Sequence, residues 1–235
     1  MQTWTRGLAV VVGGIAPVAF GQTVDVAAPL QGPGKILRVT TPGGTANLFA
    51  GQLTHTMSNA AGGEAWLNGP RVSFTLLPTT ALGPGVLEYG VSSISALSFT
   101  DPHAGAKADA IQQYFNNAQH LATDPASSPD FAACIQLLIW ETMYDYDPGV
   151  GSSSLSLTSG TFTAAKSTGL PLSSAFLGIF NAFVGGLNSL PDAGFRVTAL
   201  DHAAAADYLA VRQVPAPGLA GAVVLAGLAA GRRRR

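Results

Sequence analysis

The sequence predicts an α+β fold: an antiparallel β-sandwich or barrel-like sheet packed against two or three helices, with a signal peptide before it and an apolar helix after it. Three observations carry that prediction. Residues 24–77 alternate apolar and polar with many β-branched side chains. Later stretches repeat their apolar residues at helical spacing, and the 28 glycines and 15 prolines fall largely between the patterned segments.

The first 21 residues place Arg6 before an apolar run from Gly7 to Phe20, with Ala19 and Gly21 suited to cleavage before Gln22. Domain boundaries follow: signal peptide 1–21, body 22–213, tail 214–235. Within the body, Ile36–Thr40, Ala46–Met57 and Arg71–Leu76 read as strands joined in hairpins and broken at Pro42-Gly43-Gly44 and Gly62-Gly63. Pro78–Gly90 reads as a loop and Val91–Phe99 as a strand. A helix is expected over 104–122, with Ile111, Tyr114, Phe115, Ala118 and Leu121 inward and Lys107, Asp109, Gln113 and Asn117 outward.

The strongest helix runs from Pro129 to Asp147, with Ser128 as N-cap and Asp130 in its first turn. At about 100° per residue, Gln136 falls inside an apolar arc containing Ile135, Ile139, Trp140 and Met143, while Asp130, Glu141 and Asp145 form a narrow strip opposite. So apolar a helix is expected to be buried, and its central amide must then find partners, because leaving one unpaired costs about 1–3 kcal/mol. Beyond it, Pro148–Ser154 reads as a loop, Leu155–Thr163 as a strand, 175–190 as a third helix capped by Ser173 or Ser174, and Phe195–Leu200 and Tyr208–Arg212 as closing strands.

Composition narrows the function classes. Residues 22–213 hold seven bases against thirteen acids, a net charge of −6, which disfavours nucleic acid. A single cysteine, Cys134, rules out an internal disulfide framework and leaves three readings: buried hydrophobe, intermolecular disulfide or reactive thiol. The four histidines lack metal-ligand spacing, and no G-x-S-x-G, P-loop or G-x-G-x-x-G motif stands in its required context, so neither a metal nor a cofactor is expected. Glu141 and Asp145, one turn apart, suit a solvated acidic strip better than a glycosidase pair. A weak calcium site at Asp145 and Asp147 stays open.

Two segments carry a resemblance. Ile135-Gln136-x-x-Ile139-Trp140 resembles the helix motif of bacterial thioester domains, surface modules in which a Gln side chain is joined to a distant Cys, and of the similar domains in proteins with a PEP-CTERM tail. The run Ala106–Asn117 is similar to the helix preceding the Gln helix in those proteins. In the family the nucleophilic Cys ends a strand after Phe; here Phe74-Thr75 occupies that place, so an alcohol stands where sulfur is expected. A hydroxyl ionises far less than a thiol and needs an activating base.

The tail reads Val214-Pro215-Ala216-Pro217-Gly218, an apolar run 219–230, then Arg232, Arg233, Arg234 and Arg235. About 12 apolar residues span about 18 Å as helix, short of a bilayer core of about 30 Å. This layout resembles the PEP-CTERM signal, with Ala216 where that family usually has Glu. The resemblance implies an exported, non-enzymatic surface or matrix protein with degenerate thioester chemistry, handled by an inner-membrane exosortase and meeting exopolysaccharide or another surface protein. The alternatives it leaves are a covalent adhesin bonded through Gln136, or a carbohydrate-binding or carbohydrate-active secreted protein.

Overall fold

A computed structural model describes residues 22–78, 85–96, 101–187 and 194–214. The signal peptide and all of the tail beyond Val214, including Pro215, Pro217, Gly218 and Arg232 to Arg235, lie outside the described residues. Among the described residues there are eight strands: β1 Thr23–Ala27, β2 Leu30–Thr41, β3 Gly44–Ser58, β4 Gly69–Thr75, β5 Val86–Ser93, β6 Thr163–Lys166, β7 Phe195–Asp201 and β8 Tyr208–Gln213. Three helices accompany them: α1 Ala104–Ala118, α2 Pro129–Asp145 and α3 Ser174–Gly185.

All the strand pairings are antiparallel, in the order β1-β5-β7-β8-β4-β3-β2-β6, and β1 also pairs with β3 through Asp25↔Ser58 and Val26↔Met57. That extra pairing closes β1, β5, β7, β8, β4 and β3 into a six-stranded barrel. The long β2–β3 hairpin extends beyond it as a wing whose far edge is β6. Strand alternation then produces two cores. Val24, Val26, Leu53, Met57, Tyr89, Leu200 and Tyr208 fill the barrel. Residues one position out of phase, such as Phe74, Val197, Ala199 and Leu209, face outward and pack with the helices and the wing.

Helix α2 is the centre of the second core. It lies on β2 and β3 and touches α1 and α3, and every residue from Ala132 to Thr142 is buried. Its ends follow local chemistry: Ser128 accepts a hydrogen bond from the Phe131 N–H, Pro129 opens the first turn, and Asp130 pairs with Lys35.

The structure departs from the sequence expectations at several places. Strand β5 begins at Val86, inside the expected loop, and ends at Ser93. Leu155–Thr163 is not a strand: a 3₁₀ turn at Gly151–Ser154 leads into turns, and only Thr163–Lys166 pairs, with β2. Helix α1 stops at Ala118, where Gln119 adopts φ 52°, and a 3₁₀ turn follows. Leu121, expected inside, is exposed, while Lys107, expected outside, is buried. Lys107 can be buried because its ammonium donates to Asp101 Oδ2 at 2.5 Å and to the Met143 carbonyl at 2.7 Å, so its charge keeps partners out of water. Among the described residues no helix is long and apolar enough to cross a membrane.

Candidate functional site

The site grows from a break in the β ladder. Strand β3 pairs with β4 from Met57↔Gly69 to Leu53↔Ser73 and then stops, because it bends away at Gly51. There the backbone of β2 crosses so close that a Cβ on Gly51 would overlap the Pro33 carbonyl and Gly34 Cα. Only glycine permits that approach. Strand β4 continues without β3 for two more residues, Phe74 and Thr75, and the N–H and C=O of Thr75 would face an empty place on this edge.

Gln136 fills it. Its Oε1 accepts from the Thr75 N–H at 3.0 Å, and its Nε2 donates to the Thr75 carbonyl at 2.7 Å. On the other edge Leu76 N–H donates to the Asp207 carbonyl at 2.9 Å. The carboxamide thus takes the place of one peptide group of a missing strand. Trp140, one helical turn on, donates its indole N–H to Thr75 Oγ1 at 3.2 Å. Ile135 and Ile139 are buried in the helical core beside them. The structure therefore brings Gln136, Thr75 and Trp140 together across 61 and 65 residues of sequence.

A groove of about 370 Å³ opens over this cluster. Gln136 and Trp140 form its buried floor, and Gln31, Asn47, Phe49 and Leu77 contribute to its walls. Those wall residues were not singled out from the sequence, because the bend at Gly51 that assembles them depends on a strand crossing rather than on local pattern.

The chemistry available here is uneven. A nucleophile attacking Gln136 Cδ would drive negative charge onto Oε1, where the Thr75 N–H already points, so one oxyanion donor stands in place. The nucleophile lacks its counterpart: the Thr75 hydroxyl accepts from an indole, and among the described residues no carboxylate or imidazole hydrogen-bonds to it. Cys134 offers no substitute, being wholly buried in the helical core. Desolvation, and then the nearby Asp130, push its thiol well above the ordinary range, which suits a buried small hydrophobe rather than a reactive group.

The acidic strip expected on α2 is not solvated. Glu141 is fully buried and Asp145 half-buried, because residues 151–162 fold back over that side of the helix. Their backbone N–H groups need acceptors, and the two carboxylates supply them. Glu141 Oε1 accepts from Ser156 at 2.7 Å, and Asp145 accepts from the Thr161 N–H at 3.1 Å, the Thr161 hydroxyl and the Phe162 N–H at 2.9 Å. Burial raises the Glu141 carboxyl to about 8 despite the Ser156 bond. Both carboxylates are thus taken up by the chain's own backbone, which they clamp to the helix. Asp147 likewise accepts from Gly149 N–H at 2.7 Å, and among the described residues no cluster of His, Cys, Asp or Glu could hold a metal ion. Trp66 sits half-buried with its N–H donating to Glu64 Oε2 at 2.6 Å.

No protein-family model, no curated protein and no solved structure matches the chain.

Proposed function

We propose that the chain is an exported, non-enzymatic protein of the cell surface or extracellular matrix, whose body is a thioester-type domain without its reactive bond. Its residues 214–235 act as a PEP-CTERM-type signal read by an exosortase-type enzyme of the inner membrane. The observation that supports this reading is the seat of Gln136 on the backbone of Thr75, which brings the motif glutamine to the residue standing where the family has its cysteine. An alcohol in that place, held by Trp140 and without a base, makes Gln136 a structural amide. In this role it completes the strand edge where β3 departs.

The test is chemical. Wild-type protein treated with methylamine should show no adduct at Gln136 when its peptides are mapped. Intact mass alone is a poor readout, since an N-terminal Gln22 left by signal cleavage also loses ammonia, about 17 Da, on cyclising. Thr75→Cys should gain the bond: its thiolate attacks Gln136 Cδ, ammonia leaves, and methylamine then reopens the thioester. An adduct at Gln136 in the wild type would establish instead a covalent adhesin using Thr75 as an ester donor. For the tail, replacing Arg232 to Arg235 with alanine should abolish processing in a host that has such an enzyme, read as loss of the shorter product. Unchanged processing would refute the sorting role.

A further inference from the structure

The open end of the barrel presents an arrangement that the Gln136 site does not explain. Arg196 of β7 and Arg212 of β8 stand directly opposite each other in the ladder. The alternation that turns Leu200, Tyr208 and Ala210 into the barrel carries both arginines onto that same face, and Thr198 with its partner Ser93 joins them there. Like charges so placed repel. Yet among the described residues no carboxylate pairs with either guanidinium. Arg212 lies over the Trp66 ring, 5.1 Å from its centroid, and its buried Nε has no hydrogen-bond partner. Gln22, which enters the barrel where its carbonyl accepts from Val91 N–H at 3.0 Å, keeps a buried Oε1 that is equally unpartnered.

These groups line one cavity of about 450 Å³ at the barrel mouth. That volume suits a small ligand, and barrel mouths are a recurrent place for such sites. The lining decides the ligand class. Two guanidinium forks in register match a planar carboxylate. The hydroxyls of Ser93 and Thr198 and the Gln22 amide oxygen match a ligand rich in hydroxyls. Glu64 on the same wall leaves the lining side chains with a single net positive charge, which suits one carboxylate better than a multiply charged phosphate or sulfate. We propose that the barrel mouth binds an acidic saccharide of the uronate type, with its carboxylate on Arg196 and Arg212 and its hydroxyls on Ser93, Thr198 and Gln22. None of these residues belongs to the Gln136 cluster, and the proposal stands whether or not the tail is a sorting signal.

The test is calorimetric titration of the full chain, kept in mild detergent, with a galacturonate trimer, a neutral galactose trimer and inorganic phosphate. The acidic trimer should bind, with affinity falling as salt rises, while the neutral trimer shows no binding and phosphate at matched concentration does not displace the acidic one. Arg196→Gln, at an exposed position where folding is not at risk, should weaken binding about tenfold or more. It should also raise the melting temperature of the unliganded protein by relieving the repulsion across the ladder. Arg212→Gln should weaken binding as strongly. Absence of binding by the acidic trimer, unchanged affinity in Arg196→Gln, or displacement by phosphate would each overturn the assignment.

Discussion

Gln136 makes two hydrogen bonds that a neighbouring strand would otherwise make, so its replacement leaves both backbone groups of Thr75 buried and unpaired. At about 1–3 kcal/mol for each orphaned group, Gln136→Ala should therefore destabilise the protein by about 2–6 kcal/mol, measured by urea unfolding. Gln136→Glu sharpens the test. Ionised, the carboxylate still accepts from the Thr75 N–H but confronts the Thr75 carbonyl, so this variant should lose stability as pH rises and recover when the acid is protonated. Trp140→Phe removes the donor to Thr75 Oγ1 and leaves a small cavity at a fully buried place, so it should cost more than the about 0.5–1.5 kcal/mol of the hydrogen bond alone. The need to satisfy Gln136 was legible in the sequence from its place within an apolar arc. Its partner was not readable from helical periodicity, since Thr75 lies 61 residues away and reaches it only because β3 bends at Gly51.

At the level of elements, the segment 151–162 is held onto α2 by two carboxylates rather than by a sheet ladder. Alternation in Leu155–Thr163 looked like a strand, yet its apolar residues Leu155, Leu157 and Phe162 are buried against the helices through turns. Periodicity reports which side chains go inside, and here it did so without the backbone being extended. Gly160 adopts φ 109° beside Asp145, where a Cβ would collide with the carboxylate, so Gly160→Ala should release this clasp and raise proteolysis within 151–162. Glu141 gives the same region a pH dependence whose sign follows from its raised value. The folded protein binds the proton more tightly than the unfolded chain, so the stability Glu141 contributes is full below its ordinary 4.5 and is lost as pH rises through about 8. Asp207, raised to about 6 mainly by burial, acts with the same sign but over a lower range. His55, lowered by burial, acts in the opposite sense below its ordinary 6.5. Of these three, only Glu141 titrates in the folded state between about pH 6.5 and 8. Unfolding free energy should fall across that interval, and Glu141→Gln should flatten the slope.

For the molecule as a whole, the class of fold was legible and its closure was not. Alternating stretches and three helical stripes suffice for a sheet against helices, but which strands meet is a matter of long-range pairing. The barrel forms because β1 and β2, separated by Ala28 and Pro29, run along one edge of β3, while β4 takes its other edge. The mouth residues Arg196, Arg212 and Trp66 become neighbours only through that closure, and no local spacing announces them. Closure also rests on a short element at the very start of the described chain. Deleting residues 22–27 would strip one partner from β5 and one from the far end of β3, leaving two raw edges open to other copies of the chain. Such a truncated protein should self-associate in sizing experiments. A synthetic peptide carrying Thr23–Ala27 should return it to a monomer by donor-strand complementation, with the peptide seated antiparallel between its two acceptors.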